Sequence, residues 1–368
     1  MATLALDVRV STPGGGKTYI DSLVPELVRQ TAHRIVLVRA AGDGLDLPQA
    51  ETIMAPPARV AQALWSQTTL AGLLRGKKVD LYHSLKHPGP VLFGGRTVCT
   101  LSAAGPYDGL CLYPLPVPDL LYWNVLGRTY LRRADHVIAV SAFVARSLPP
   151  DLAPAPDRLD IIPHGLPALF LAEPPARSDG AGAILGVGNV VPVKNFTTLV
   201  RAYAALPEAL RARHPLVIAG DASGPEAERV LATALAHGVR DRVRLTGYLG
   251  PQALQRAFEQ ADLFVVSSLQ ESFSFALLEA MACGLPCVVT DCGGATEVGG
   301  ASVAHVGDPR DVRGLREAVE HLLLQPEERA RLGARARRRA LSFTWEKTAH
   351  RTLEVYDRVL ARPTREHA

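Results

Sequence analysis

The sequence predicts an α/β protein in which two doubly wound parallel sheets follow one another along the chain. Short apolar runs recur through the 368 residues and alternate with helical stretches, as parallel strands joined by crossover helices do. The alternation stops once, in a segment rich in proline, glycine and charge, and then resumes. A chain of this length also exceeds what one core usually serves. Two Rossmann-like domains facing each other across a cleft are therefore expected.

The first series of strands begins with LALDVRV, residues 4–10, followed by a glycine-rich turn and a helical stretch. Its other predicted strands are HRIVLVRA (33–40), VDLYHSL (79–85), RTVCTLS (96–102) and HVIAVSA (136–142). LYWNVLGRTYLRRA, residues 121–134, has helical spacing.

The second series restarts at AILGVGN, residues 183–189. Its other predicted strands are PLVIAG (215–220), RVRLTGY (242–248), DLFVVSS (262–268), PCVVTD (286–291) and SVAHVG (302–307). Helical stretches such as FTTLVRAYAALP and GPQALQRAFEQA separate these strands, and a helical pattern continues beyond residue 326.

These patterns place domain boundaries along the chain. Residues 1–167 form the first domain, 168–182 a linker rich in turn-forming residues and 183–345 the second domain. Residues 346–368 are expected to form a helix that crosses back to the first domain.

Composition limits the classes of function. A net charge of +4 and a pI near 8.8 fall short of the basic stripe of a nucleic-acid-binding protein, so no nucleic-acid partner is expected. The arginines from Arg329 to Arg339 form either a lipid- or phosphate-binding patch or a solvated helix face. Five cysteines without a C-x-x-C pair favour buried free thiols and no zinc site.

The predicted location follows from the chain's apolar stretches. Asp7 and Arg9 interrupt the first apolar run, which excludes a signal peptide there, and no window is apolar enough to span a membrane. A cytoplasmic protein is expected, with peripheral contact to the inner membrane face left open.

A candidate site lies in ESFSFALLEAMACGLP, residues 271–286, which keeps two acids in an apolar stretch. The preceding strand ends at Ser268, and a helix is expected from Ser274 to Cys283 because Gly284 then ends it. Ligands of open parallel sheets bind beyond the carboxyl ends of strands, where helix N-termini present unpaired N–H groups.

These features together indicate a sugar-nucleotide site. Backbone amides near Ser272, Phe273, Ser274 and Phe275 are expected to hold a diphosphate. The two acids, Glu271 and Glu279, repel phosphate but suit the hydroxyls of a sugar and a ribose. The alternative from spacing alone is two surface carboxylates without a ligand.

The stretch ESFSFALLEAMACGLPCVVTDCGGATEV resembles the signature of the retaining glycosyltransferases of family 4, also called glycosyl transferases group 1, which have the GT-B fold. The resemblance extends through GVGNVVPVKNFTTLVRAY and SFTWEKTAHRTLEVY. It implies that Glu271 binds the donor sugar and Glu279 the ribose. It also implies that Lys194 pairs with donor phosphate, where a cation would stabilise the departing nucleoside diphosphate.

Other donor contacts are implied by the same resemblance. Gly188 and Asn189 belong to the donor motif around Lys194, and the base is expected near Gly247 and Tyr248. The glycine-rich turn after the first strand, Gly14, Gly15 and Gly16, is expected across the cleft from the donor phosphates. A nucleotide-binding P-loop is excluded there, because that motif requires glycine where this chain has Ser11.

Two departures from the family pattern stand out. Asn189 follows Gly188 where the family often has arginine. Ser102 occupies the position of a usual active-site histidine, and His83 or His87 is the candidate substitute, with a structural histidine as the alternative for each. His164, in IIPHGLP, is expected near the cleft.

The expected activity is retaining transfer of a hexose from a UDP- or GDP-sugar to the hydroxyl of a glycan, a lipid-linked acceptor or a small molecule. The first domain, as the more variable half, is expected to bind this acceptor. An apolar groove around residues 111–123 is one candidate for its site, with ordinary packing as the alternative.

No cofactor or metal is expected, because Lys194 and the helix amides serve the leaving group and the chain lacks a D-x-D motif. The alternative is a sugar-nucleotide-binding protein with weak or lost transferase activity, motivated by Ser102 and Asn189.

Overall fold

The computed structural model describes residues 1–10, 14–45, 47–57, 59–86, 88–103, 122–174 and 182–363. The chain divides into two compact units. The first contains Met1–Gly165 and the chain from Thr344 onward, and the second contains Leu166–Phe343. The candidate groove at 111–123 lies outside the described residues, except for its last two.

The first unit is built on a seven-stranded parallel sheet in the order β3-β2-β1-β4-β5-β6-β7. Its strands are β1 (Thr3–Asp7), β2 (Arg34–Arg39), β3 (Glu51–Met54), β4 (Leu81–Ser84), β5 (Arg96–Leu101), β6 (His136–Ala139) and β7 (Leu159–Ile161). Its described helices are α1 (Gly15–Gln30), α2 (Arg59–Gly76), α3 (Arg128–Arg133), α4 (Ala142–Arg146) and the last helix of the chain, Trp345–Ala361. A π-helical turn, Tyr122–Gly127, leads into α3.

The second unit contains a six-stranded parallel sheet in the order β10-β9-β8-β11-β12-β13. Its strands are β8 (Ala183–Val187), β9 (Leu216–Ala219), β10 (Val243–Leu245), β11 (Ala261–Val266), β12 (Cys287–Thr290) and β13 (Ala304–Val306). Its helices are α5 (Phe196–Ala204), α6 (Glu208–Arg213), α7 (Pro225–Ala236), α8 (Pro251–Gln260), α9 (Phe275–Ala282), α10 (Gly294–Gly299), α11 (Val312–Leu324) and α12 (Pro326–Ala340). The last helix of the chain, Trp345–Ala361 in the first unit, is α13.

Both sheets have the strand order of a doubly wound fold, which confirms the predicted class. In the second sheet the order reverses between β8 and β11, which pair in parallel. The central strands are fully buried along most of their length, as expected when helices cover both faces. The carboxyl ends of β8 and β11 therefore form the topological switch point where such sheets bind ligands.

Buried apolar side chains fill the space between the second sheet and its helices, and Ile184, Leu216, Leu263 and Val288 contribute from the strands. The four described cysteines are free buried thiols, as predicted. In the described part of the chain, no helix combines the length and the hydropathy that crossing a membrane requires.

Candidate active site

The switch point of the second sheet brings Lys194 and Glu271 together. Lys194 lies in the turn after β8 and Glu271 in the loop after β11, and Lys194 Nζ donates a hydrogen bond of 2.6 Å to Glu271 Oε1. The same oxygen accepts a 2.7 Å hydrogen bond from Ser268 Oγ. Both charged side chains keep part of their surface accessible, 20% for Lys194 and 13% for Glu271. The pair is therefore in reach of a ligand.

The turn that carries Lys194 is fixed by backbone geometry. Gly188 has a φ of +147°, and a Cβ placed there would lie 2.7 Å from Lys194 Cε. Only glycine leaves room for the lysine side chain to cross this point. Asn189, the next residue, is exposed.

A second set of contacts anchors the end of the turn. Asn195 adopts the left-handed conformation, and its amide nitrogen donates to the carbonyls of Pro309 at 2.7 Å and Ser267 at 3.2 Å. Ser267 Oγ donates to the Lys194 carbonyl at 2.9 Å. The lysine therefore extends from a backbone tied directly to the end of β11.

The loop that carries Glu271 is tied to the next crossover. The Glu271 amide donates to the Cys292 carbonyl at 2.7 Å, and the Gly294 amide donates to the Glu271 carbonyl at 2.7 Å. A Cβ at Gly294 would lie 2.0 Å from the Ser272 carbonyl oxygen, so the close approach of these two segments requires glycine.

Helix α9 begins directly beyond this loop. Its N-cap, Ser274, has φ +80° and ψ +85° and makes no capping hydrogen bond through its side chain. The first turn holds no acid, and the Ala276 and Leu277 amides donate to no described residue. The helix start therefore offers N–H donors and the positive end of a helix dipole to an anion.

Glu279 lies in the second turn of α9. It is half-buried, and its carboxyl group has no hydrogen bond or ion pair with any residue that the structure describes. Desolvation by burial raises its pKa from 4.5 to about 8. Because Glu279 is mainly protonated at neutral pH and Glu271 is paired with a lysine, the two predicted acids repel a diphosphate far less than two free carboxylates would.

The loop predicted to hold the base follows β10. Gly247 has a φ of +74°, and its carbonyl accepts a 2.9 Å hydrogen bond from the Gly220 amide. Tyr248 projects outward with 64% of its surface exposed. An exposed aromatic ring on a fixed turn provides a face on which a base can stack.

The glycine-rich turn belongs to the first unit. Gly14 is the N-cap of α1 with a φ of +131°, and Gly15 and Gly16 open the helix. A Cβ at Gly16 would lie 2.9 Å from Lys86 Nζ, so glycine allows this cation to approach the first turn.

His83 takes a structural position. It is fully buried in β4, its Nε2 contacts Thr100 Oγ1 at 2.8 Å, and its Nδ1 contacts the Tyr356 hydroxyl of α13. Burial lowers its pKa to about 3, so the ring is neutral. With both ring nitrogens in contact with hydroxyl groups and no exposed surface, His83 presents nothing to a substrate in this structure. Its predicted catalytic role stays a prediction.

The other predicted histidine positions have different outcomes. His87 lies outside the described residues. Ser102, half-buried, directly follows β5. His164 is buried and packs against the rings of Tyr19 and Trp345, at centroid distances of 4.6 and 5.9 Å. Burial lowers the pKa of His164 to about 3 as well, so it packs as a neutral ring.

The contact between Ser268 and Glu271 was not predicted from the sequence. Ser268 was identified only as the end of a strand, whereas its hydroxyl donates to the same oxygen of Glu271 as Lys194 does. The available signal was the spacing of three residues between Ser268 and Glu271, which turns the hydroxyl back toward the acid.

Two family models match the chain, one in each half. The model described as Glycosyltransferase Family 4 matches residues 13–168, and the model described as Glycosyl transferases group 1 matches residues 172–339. The chain belongs to the family 4 glycosyltransferases, and the resemblance predicted from sequence is confirmed.

Relatives of similar sequence carry transferase names. The serotype-specific mannosyltransferase WbdA of Escherichia coli is 33% identical over 178 residues, which are 48% of this chain and 22% of WbdA. The MMP alpha-(1->4)-mannosyltransferase of Mycolicibacterium hassiacum is 30% identical over 235 residues, which are 63% of this chain and 56% of that protein. The chain thus spans about half the length, or less, of these relatives.

Solved structures match over nearly the whole chain. Sucrose-phosphate synthase from Thermosynechococcus elongatus has a TM-score of 0.76 at 21% identity, covering 98% of this chain and 100% of that one. Anabaena HepE in complex with UDP-glucose has a TM-score of 0.71 at 16% identity, covering 97% and 100%. The fold is GT-B, as predicted.

Proposed function

We propose that this protein transfers a hexose from a UDP- or GDP-sugar to an acceptor hydroxyl with retention of anomeric configuration. The observation that carries the proposal is the group formed at the switch point of the second sheet. There, Lys194, Glu271 and the uncapped start of α9 converge, with Glu279 one turn further along the helix. HepE binds UDP-glucose on the same fold, which supports a nucleotide-sugar donor.

Each part of the group has a chemical role toward such a donor. The α9 amides and Lys194 hold the diphosphate, whose charge grows as the glycosidic bond breaks. Glu271 accepts hydrogen bonds from sugar hydroxyls, and Glu279 accepts them from the ribose. Lys194 exchanges part of its contact with Glu271 for the phosphate when the donor binds.

The proposed chemistry is front-face substitution. The bond from the anomeric carbon to the phosphate oxygen breaks through an oxocarbenium-like state, and the acceptor oxygen attacks from the same face. The leaving phosphate oxygen takes the acceptor's proton. Lys194 and the helix dipole supply positive charge at that oxygen, so we propose that no divalent metal is required.

The test is a panel of UDP- and GDP-hexoses in which binding and donor hydrolysis are measured with and without EDTA. We expect one donor to stabilise the protein and to be hydrolysed with EDTA present. Glu271→Ala is expected to lower turnover about 100-fold or more, in line with loss of a transition-state contact. Activity that chelation abolishes and manganese restores would refute metal independence, and a panel without any ligand would refute the donor class.

A binding protein without transferase activity is the second candidate. Ser102 and the burial of His83 and His164 favour it, since none of these positions presents a histidine to a substrate in the described structure. Donor binding without hydrolysis or transfer, under conditions where Glu271→Ala changes only affinity, would establish it.

A further inference from the structure

Helix α12 carries an arginine face that the proposed transfer reaction does not use. Six arginines lie between Pro326 and Ala340. Two of them are held within the second unit: Arg337 pairs with Glu173 at 2.7 Å, and Arg339 donates to the carbonyls of Val298 at 2.5 Å and Glu297 at 2.7 Å. Three others, Arg331, Arg335 and Arg338, are exposed.

These three exposed arginines lack counter-charges. None of them forms an ion pair or a side-chain hydrogen bond with a residue in the described ranges. The neighbouring helix α11 is different, because Arg313 pairs with Glu317 at 2.9 Å and Arg316 pairs with Glu320. Ion pairs between residues three or four positions apart stabilise a solvent-exposed helix face. Arg331, Arg335 and Arg338 of α12 form none with a described residue.

Two of these exposed arginines, Arg335 and Arg338, border a hollow of about 430 Å³. Its lining consists of Ala301, Ser302, Arg335, Arg338, Arg339 and Ser342. The lining thus combines three guanidinium groups with two hydroxyls and contains no carboxylate. Glu328 lies only in the adjoining hollow of about 440 Å³, where it contacts His321 at 2.8 Å.

Arg339, which lines one side of the hollow, is held in place by other residues of the second unit. The Arg339 guanidinium is held by its two carbonyl partners and lies over the Phe343 ring, 5.6 Å from the centroid. A Cβ at Gly300 would lie 2.9 Å from Arg339 Cζ, so this glycine allows the close approach. The guanidinium groups of Arg335 and Arg338 are exposed beside Arg339, and their forked N–H donors match the oxygens of a phosphate.

We propose that the hollow bordered by Arg335, Arg338 and Arg339 binds a phosphate group, carried by a soluble phosphate ester or by an anionic lipid headgroup. None of the proposed donor-site residues lines this hollow, so phosphate binding there is independent of the proposed transfer activity.

The experiment compares the full chain with Arg335→Gln/Arg338→Gln and with the control Arg201→Gln/Arg244→Gln. Both control arginines are exposed in the second unit outside the hollow, so each double variant loses the same charge. Thermal unfolding verifies that both variants fold. One arm measures binding of inorganic phosphate by phosphorus NMR line broadening. The other measures sedimentation with phosphatidylcholine vesicles, with or without phosphatidylglycerol, at physiological salt.

We expect binding in at least one arm. Arg335→Gln/Arg338→Gln should weaken it about tenfold or more, since the substitutions remove two charged hydrogen-bond donors from the hollow, and the control should retain it. Binding of inorganic phosphate would identify a soluble ester as sufficient, and binding confined to phosphatidylglycerol vesicles would identify a lipid headgroup. Absence of binding in both arms, or an equal loss in the control, would overturn the proposal.

Discussion

The side chain of Lys194 occupies the space that a β-carbon at Gly188 would take. The two residues lie six positions apart within the segment that follows β8, and the hypothetical Cβ would lie 2.7 Å from Lys194 Cε. The position of the proposed phosphate-binding cation therefore depends on the absence of a side chain at Gly188.

Gly188→Ala should displace this lysine. The new methyl group overlaps the lysine stem, and the φ of +147° is unfavourable for alanine. We expect donor turnover to fall about 10- to 100-fold with a stability loss of about 1–3 kcal/mol. Steady-state kinetics and urea unfolding measure the two effects. Gly224→Ala is the matched control, because no atom lies within 4 Å of its Cβ position. Unchanged turnover in Gly188→Ala would show that Lys194 does not need this placement.

Glu279→Gln should separate stability from donor binding. The pKa of the folded-state carboxyl, about 8, lies above its ordinary value of 4.5, so the folded protein binds one more proton than the unfolded chain between these values. Stability should therefore fall as pH rises from about 4.5 to about 8, with a slope of up to about 1.4 kcal/mol per pH unit from this group.

Glutamine does not titrate, so the Glu279→Gln variant should lose the part of the pH dependence of stability that Glu279 causes. The difference in stability between the variant and the parent should therefore depend on pH, and it should favour the variant more strongly at pH 9 than at pH 4. The affinity of the variant for the donor should fall. Urea unfolding at both pH values, with nucleotide titration alongside, measures this. An equal effect of the substitution on stability at pH 4 and pH 9 would contradict the raised pKa.

Ser274→Gly should stabilise the protein. Ser274 holds a left-handed conformation that favours glycine, and its side chain makes no capping hydrogen bond. Relief of that strain is worth about 1–2 kcal/mol, from which the extra flexibility of glycine in the unfolded chain subtracts about 0.4–1 kcal/mol. Thermal and urea unfolding measure the difference, with Gly224→Ala again reporting an unstrained position. A loss of stability would indicate that the serine side chain contributes a contact worth more than the strain.

His83→Gln should change acid stability and leave turnover within a few-fold of the parent. The pKa of His83, about 3, lies below its ordinary value of 6.5, so the unfolded chain binds the extra proton and stability falls as pH drops from about 6.5 to about 3. Glutamine can hydrogen-bond to Thr100 or Tyr356 without titrating, which should flatten that decline. Unfolding from pH 7 to pH 4 tests this, and a hundredfold loss of turnover in a folded variant would support a catalytic role for His83.

The strand pattern predicted the fold well because buried parallel strands are continuous apolar runs. The strands missed were β3 and β7, which lie at the two edges of the first sheet. Only one residue of Glu51–Met54 is buried, and none of Leu159–Ile161, so neither segment shows the apolar run of a central strand. Edge strands covered on fewer sides give a weaker hydropathy signal than central strands do.

The charged residues of the candidate site were predicted from the sequence, but most of their contacts were not. Glu271, Glu279 and Lys194 stood out as charges next to strand ends or within an apolar helix. The hydrogen bond from Ser268 to Glu271 is local, but a spacing of three residues alone does not show that the loop folds back on itself. The raised pKa of Glu279 and the burial of His83 depend on packing against other segments of the chain. A histidine at the end of a predicted strand has the same local pattern whether its ring faces a ligand or a helix from the other end of the chain.

The helix Trp345–Ala361 belongs to the first unit although the whole second unit precedes it in the chain. Its Tyr356 covers His83, and its Thr348 hydroxyl donates to the Pro163 carbonyl at 2.8 Å. A fragment of residues 1–165 would lack this helix and would expose the surface that the helix covers. Residues 166–343 form one uninterrupted stretch, so they are the fragment to produce for isotope labelling and for nucleotide titration apart from the rest of the chain.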